Sequence, residues 1–134
     1  MVWRRALRLL LDTHAVIWSL VEDKRLSDRA RSAIEAPDSI AHVSLTSVWE
    51  VAIKVGLKKW PEADQVLGDI EAHLERVQFR LLPITIAHVR LAGLMPSPHR
   101  DPFDRLLAAQ ASIEGLTLVT ADPKVQALGA PWLW

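Results

Sequence analysis

The sequence predicts an α/β fold with three layers, in which helices cover both faces of a central, mainly parallel sheet of four to five strands. Short apolar runs alternate along the chain with longer segments of helical periodicity, an order typical of parallel βαβ units. The 134 residues are half apolar, which is enough to bury one core. Because no repeat or long linker divides the chain, we predict a single domain over residues 1–134.

Short apolar runs bounded by turn residues predict the strands. They span residues 7–11, 39–45, 79–84 and 116–119, and a last apolar run covers 131–134. Helical segments fill the intervals and span residues 15–21, 27–36, 46–57, 63–77, 85–94 and 102–114, with a short helix after Pro123.

Local signals predict where several of these helices begin and end. Ser47 and Glu50 have the spacing of a capping box, which places the start of the third helix beside them. Residues 63–77 carry apolar side chains every three to four positions, which predicts one amphipathic helix. Asp101 is predicted to cap the helix that Pro102 opens, and Gly115 is predicted to end it.

Four acidic residues fall where this fold binds ligands. Asp12 and Asp122 follow predicted strands, and Glu50 and Asp104 fall in the predicted first turns of helices that begin on the same side. Ligands of parallel sheets bind outside the carboxyl ends of the strands, so we expect the four carboxylates to share one cleft. Asp101 is close enough to join them, although its predicted role is the helix cap.

Carboxylates that share a cleft need a cation or they become protonated. The sequence contains no cysteine, which excludes disulfides and thiolate metal sites and fits a reducing compartment such as the cytoplasm. Oxygen ligands suit Mg²⁺ or Mn²⁺, which bind phosphate oxygens and activate water for phosphodiester hydrolysis. Taken singly, each acid could equally be a helix cap, a turn residue or a partner of the helix dipole.

Other classes of protein function receive less support from the sequence. The sequence has no glycine-rich phosphate loop, no G-x-S-x-G and no H-E-x-x-H. The apolar residues 9–11 are too few for a membrane span. A phospho-receiver-like signalling module would require a lysine after a late strand, and residues 118–122 contain none.

The net charge of zero means that any nucleic-acid binding must come from a local basic patch or from a metal, not from the charge of the whole chain. The candidate RNA contacts are Arg8, Lys54, Arg100 and Arg105, with Arg4, Arg5, Lys58 and Lys59 as further candidate phosphate contacts. Lys54 is equally a partner for Glu50, four residues before it on the same predicted helix.

Four segments resemble PIN-domain proteins of the VapC toxin type. They are LLDTH at 10–14, SVWEVAIK at 47–54, HRDPFDRLL at 99–107 and LVTADP at 118–123. The resemblance implies a PIN-like fold and a metal-dependent endoribonuclease. It implies that Asp12 and Asp104 bind Mg²⁺ or Mn²⁺ directly and that Glu50 and Asp122 act partly through water, with Thr13 and Thr120 orienting them.

The same resemblance implies partners. Such toxins are commonly homodimers and are neutralised by a cognate antitoxin, whose tail fills a groove. Residues 47–77 are the candidate groove, although most of their apolar side chains could instead pack on the sheet. A catalytically silent PIN-like binding module is the alternative that the motifs leave open.

Overall fold

A computed structural model describes residues 7–134, so the candidate phosphate contacts Arg4 and Arg5 lie outside the described residues. The first half of the chain forms β1 (Arg8–Leu11), α1 (Thr13–Leu20), α2 (Asp28–Glu35), β2 (Ile40–Ser44), α3 (Leu45–Gly56), α4 (Pro61–Leu67) and α5 (Ile70–Arg76). The second half forms β3 (Arg80–Leu82), α6 (Ile86–Leu94), α7 (Pro102–Glu114), β4 (Thr117–Val119), α8 (Pro123–Gln126) and β5 (Trp132–Leu133).

The strands form one parallel sheet in the order β3-β2-β1-β4-β5, with β1 at its centre. Successive side chains of β1 point to opposite faces, as strand geometry requires. Leu9 and Leu11 pack into a core that includes Ala30 of α2 and Leu74 of α5, whereas Leu10 packs into a second core with α7 and α8. The predicted three-layer α/β/α fold is therefore confirmed, with all four strand pairings parallel.

Two predicted helix boundaries are wrong. The third helix begins at Leu45 rather than near Ser47, because the Ser44 hydroxyl accepts a hydrogen bond from the Thr46 N–H and takes the cap. The amphipathic segment 63–77 is two helices, broken where Asp69 leaves helical geometry with φ −131° and ψ 42°. Gly68, a poor helix former, ends α4.

The signals around α7 are confirmed. Asp101 Oδ1 accepts hydrogen bonds from the N–H groups of Phe103 and Asp104, and Pro102 is the first helical residue. Gly115 ends the helix in the left-handed region with φ 67°, which glycine adopts without strain. Because α7 starts at the carboxyl edge of the sheet, its first turn lies beside the ends of β1 and β4. Within residues 7–134 no helix is long and apolar enough to cross a membrane.

Candidate active site

The acids that follow the strands also begin the next helices. Asp12 follows β1 and accepts a hydrogen bond from the Ala15 N–H at 2.8 Å, which caps α1. Asp122 follows β4 and accepts one from the Lys124 N–H at 2.9 Å, which caps α8. Each cap fixes one carboxylate oxygen at the carboxyl edge of the sheet.

Five carboxylates line one pocket of about 170 Å³ at this edge, which we call the acidic pocket. Its walls are Asp12, Thr13, His14, Glu50, Lys54, Asp101, Asp104, Asp122 and Val125. The structure thus brings together the four predicted acids, and Asp101 joins them while it caps α7.

Glu50 reaches the acidic pocket from the second turn of α3, not from the first turn as predicted, because α3 begins at Leu45. Its side chain is not bonded to the start of its own helix. Instead the Thr13 hydroxyl donates to Glu50 Oε1 and lies 3.1 Å from the Ser47 hydroxyl. The predicted capping box is therefore replaced by a contact with α1 that fixes the Glu50 carboxylate.

Burial sets the electrostatics of Asp12, which is 8% exposed. Loss of solvation, with smaller contributions from the nearby Asp104 and Glu50 charges, raises the pKa of Asp12 to about 6. The Thr120 hydroxyl and the Ala15 N–H oppose this rise by bonding to the ionised form. A cation beside Asp12 would relieve the same unfavourable charge.

Asp104 has a comparable environment on the opposite wall. Burial raises the pKa of its carboxyl, and a hydrogen bond from His99 partly offsets the rise. His99 Nε2 lies 2.7 Å from Asp104 Oδ2. His99 comes from the loop before α7, a contact that the spacing of the two residues does not reveal.

One basic residue also lines the acidic pocket. Lys54 Nζ lies 3.2 Å from Glu50 Oε2, one helical turn away on α3. This ion pair matches the second interpretation that the sequence left open for Lys54. Since Lys54 also lines the acidic pocket, its ammonium group lies beside the carboxylates there.

The donor set fits a hard divalent cation that keeps part of its water shell. Among residues 7–134, no three acidic, histidine or cysteine side chains converge into a ready-made metal cage. Mg²⁺ binds proteins through one or two carboxylates and several waters, so a pocket of about 170 Å³ lined by carboxylates suits it. The absence of sulfur and the carboxylate-rich lining both favour Mg²⁺ or Mn²⁺ over zinc.

Two of the predicted RNA contacts, Arg8 and Arg105, donate hydrogen bonds within the protein itself. Arg8 lies at the amino end of β1, roughly 13 Å along the strand from Asp12, and donates to the Glu114 carbonyl at 3.1 Å. The guanidinium of Arg105 donates to carbonyl oxygens at the end of α6 and in the α6–α7 connection, so its donors are used within the protein. These acceptors are Ala92, Gly93, Met95, Ser97 and His99. Arg100 is exposed and lines a different cavity, between α6 and the start of α7.

A family model describes most of the chain. The PIN domain model matches residues 9–130, which include every wall of the acidic pocket. The chain is also similar to Ribonuclease VapC22 of Mycobacterium tuberculosis, with 35% identity over 119 residues. That alignment covers 88% of this chain and 89% of the relative.

Solved structures share the fold at low sequence identity. A chain of VapBC2 from Rickettsia felis, bound to a DNA fragment from their promoter, matches with a TM-score of 0.70 and 16% identity over 95% of this chain and 98% of that one. VapBC-1 from nontypeable Haemophilus influenzae matches with a TM-score of 0.65 and 18% identity, over 95% of this chain and 97% of that one. Mycobacterium tuberculosis VapC20, described as a Sarcin-Ricin loop cleaving toxin, matches with a TM-score of 0.58 and 15% identity, over 91% of this chain and 95% of that one.

Proposed function

The chain belongs to the VapC branch of the PIN-domain family, and from that premise we propose that it is an Mg²⁺- or Mn²⁺-dependent endoribonuclease, the toxin of a toxin–antitoxin pair. The observation that carries this proposal is the acidic pocket, in which Asp12, Glu50, Asp104 and Asp122 meet at the carboxyl edge of the sheet. Acids in this arrangement suit metal-assisted hydrolysis of a phosphodiester bond.

In the proposed mechanism, Asp12 and Asp104 would hold the cation directly, and Glu50 and Asp122 would hold it partly through water. The chemistry that a bound cation would supply is polarisation of the scissile phosphate and a lower pKa of the attacking water. Thr13 orients Glu50, and Thr120 bonds to Asp12, so each hydroxyl fixes an acid before substrate arrives. Lys54, which is paired with Glu50 Oε2, would attract the phosphate.

The test is cleavage of a defined RNA pool that includes tRNA, with Mg²⁺ or Mn²⁺ against EDTA. We expect cuts that require metal and that disappear in Asp104→Asn. Asp64→Asn is the matched control, because Asp64 is an exposed acid of α4 outside the acidic pocket. Full activity in Asp104→Asn, or in EDTA, would remove the proposal. Metal binding without cleavage of any RNA would favour the silent binding module instead.

An exposed apolar stripe supports the proposed antitoxin partner. Leu45, Trp49, Ile53 and Leu57 follow one another at four-residue intervals on α3 and are 38–60% exposed. Trp49 packs edge-on against Phe103, the neighbour of Asp104, with ring centroids 5.2 Å apart. The stripe therefore runs to the rim of the acidic pocket, and we propose that the antitoxin lies along it.

The stripe can be tested with the cognate antitoxin, co-expressed and purified with the toxin. Trp49→Glu is expected to weaken the complex, since it places a charge at the centre of an apolar contact. Trp132→Glu is a matched control, because Trp132 is 47% exposed at the edge strand β5. Equal complex formation by both variants would exclude α3 as the docking surface.

A second exposed apolar surface supports the proposed homodimer. Ile86, Val89 and Leu94 of α6 are 73%, 48% and 77% exposed. Exposed apolar patches often mark an interface. Light scattering of the wild type and of Leu94→Asp tests this assignment, and an unchanged dimer in the variant would place the interface elsewhere.

A further inference from the structure

A second pocket lies beside the acidic pocket. It has a volume of about 330 Å³ and is lined by His14, Arg25, Lys54, Lys59, Trp60 and Glu62, and we call it the cationic pocket. His14 and Lys54 line both pockets. The two pockets therefore adjoin, with one residue of α1 and one of α3 between them.

A stack of aromatic rings supports the cations of this pocket. The His14 ring makes tilted contacts with both Trp18 and Trp60, with centroid distances of 5.3 Å and 4.9 Å. Arg25 Cζ lies 5.1 Å from the Trp18 ring, and Lys54 Nζ lies 5.3 Å from the Trp60 ring. Each end of the stack thus holds a cation by a cation–π contact, which fixes two long side chains at the pocket.

The charge of the lining favours an anion. Arg25, Lys54 and Lys59 oppose the single carboxylate of Glu62. Arg25 is paired with Asp23 and Glu62, and Lys54 is paired with Glu50. Lys59 is exposed and makes no ion pair among residues 7–134, so its charge is available to a ligand.

We propose that the cationic pocket binds the RNA phosphate that neighbours the scissile phosphate, an inference that rests on the proposed ribonuclease function. A strand whose phosphodiester lies at the acidic pocket must continue across an adjoining surface. On the side of His14 and Lys54 that surface is the cationic pocket, and its charge suits the backbone of the strand.

The aromatic stack indicates that the contact is with phosphate rather than with a base. Trp60 is only 7% exposed, and its ring is already in contact with His14 and Lys54. No face of Trp60 is therefore free for a nucleobase, whereas base recognition on single strands relies on open aromatic faces. A phosphate contact positions the strand and reads no sequence.

The experiment measures RNA binding separately from cleavage. Fluorescein-labelled oligouridylate and oligoadenylate are titrated with the full chain in EDTA, and anisotropy is followed at several salt concentrations. The variants are Lys59→Gln, which removes the charge, and Lys59→Arg, which retains it. Lys24→Gln is the matched control, because Lys24 is an exposed lysine that does not line the cationic pocket.

We expect Lys59→Gln to bind both RNAs more weakly, by the same factor. The loss of one phosphate contact on a single strand lowers the slope of log affinity against log salt by about 0.7. The variant's loss of affinity relative to the wild type should therefore grow roughly eightfold as the salt falls from ~1 M to ~50 mM. Lys59→Arg and Lys24→Gln are expected to keep the wild-type affinity and slope.

Several results would overturn the proposal, and they are distinguishable from failure of the ribonuclease assignment. If the wild type cleaves RNA but Lys59→Gln binds RNA as Lys24→Gln does, the subsite is wrong and the nuclease stands. A loss confined to one of the two RNAs would indicate a base contact. If Lys59→Gln instead weakens the antitoxin complex and leaves RNA binding intact, the pocket serves a protein partner. A wild type that neither binds nor cleaves RNA would remove both proposals.

Discussion

His99 Nε2 lies 2.7 Å from Asp104 Oδ2, and each of the two side chains is 19% exposed. The loop that carries His99 is held by Arg105, the residue after Asp104, whose Nη1 donates to the His99 carbonyl at 3.1 Å. Two adjacent residues of α7 therefore contact the same loop. Arg105 bonds to its backbone, and Asp104 bonds to the His99 imidazole that the loop carries. The sequence HRDPFDR encodes both contacts within seven residues.

His99 is expected to position Asp104 for the cation. With Oδ2 held by His99, Oδ1 of the same carboxylate would be the atom available to a cation, and loss of such an outer partner typically weakens metal binding 10- to 100-fold. We expect His99→Ala to lower the Mn²⁺ affinity roughly tenfold in calorimetric titrations. His99→Gln, which keeps an N–H donor at similar reach, is expected to retain most of it.

A melting curve in EDTA separates positioning from folding, since both variants should unfold near the wild-type temperature. Equal Mn²⁺ affinities for His99→Ala and the wild type would contradict the positioning role.

Arg105 is expected to stabilise the fold rather than to bind RNA. Its guanidinium bonds to carbonyl oxygens at the end of α6 and in the α6–α7 connection, and hydrogen bonds from charged donors contribute about 1.5–3 kcal/mol each. Because several acceptors lose their donor together, we expect Arg105→Ala to lower the free energy of unfolding by roughly 3 kcal/mol. Urea denaturation measures this change.

Arg100→Ala is the matched comparison, because Arg100 is an exposed arginine of the same loop. Its unfolding free energy should stay within about 0.5 kcal/mol of the wild type. An Arg105→Ala protein of normal stability and impaired RNA binding would restore the sequence-based prediction that Arg105 contacts RNA.

Asp101 and Asp104 are expected to have different roles. Asp101 caps α7, and Asp104 is the proposed metal ligand. Asparagine can accept the same hydrogen bonds from the N–H groups of Phe103 and Asp104, so Asp101→Asn should keep both the fold and most of the RNA cleavage. Asp101→Ala should lose about 1 kcal/mol of stability. Asp104→Asn should lose cleavage instead, and activity assays run beside urea titrations distinguish the two. Loss of cleavage in Asp101→Asn at normal stability would make Asp101 a ligand.

Structural features that are determined by residues close together in the sequence could be predicted. Asp101, Pro102 and Gly115 define α7 through signals within or next to the helix, and all three act as predicted. The apolar runs likewise predict the strands, and the order of strands and helices predicts which edge carries the acids. Local patterns are therefore sufficient to place the candidate site.

Features that depend on distant residues could not be predicted. Ser47 and Glu50 have capping-box spacing, but Thr13, which is 37 residues from Glu50, takes the carboxylate. The sequence does not indicate that the Arg105 guanidinium is hydrogen-bonded within the protein, because its acceptors are main-chain carbonyls, which every residue carries. The aromatic stack joins Trp18, His14 and Trp60 from two segments, and nothing in either segment indicates the other.

The buried charge of Asp12 is expected to make the metal-free protein less stable at neutral pH. Its pKa is raised from 3.8 to about 6, so the folded state binds this proton more tightly than the unfolded state does. The penalty is therefore fully present above pH ~6 and is relieved as the pH falls toward the unfolded value near 4. A shift of about two pKa units corresponds to at most about 3 kcal/mol.

Asp12→Asn removes the charge and keeps the acceptor for the Ala15 N–H. In EDTA at pH ~7.5 we expect the variant to be more stable than the wild type by about 2–3 kcal/mol in urea titrations, with the difference closing near pH 4. Mg²⁺ or Mn²⁺ should stabilise the wild type and reduce the difference, because the cation replaces the proton as the partner of the carboxylate. A stability difference that is the same at both pH values would show that burial of the Asp12 charge is not its origin.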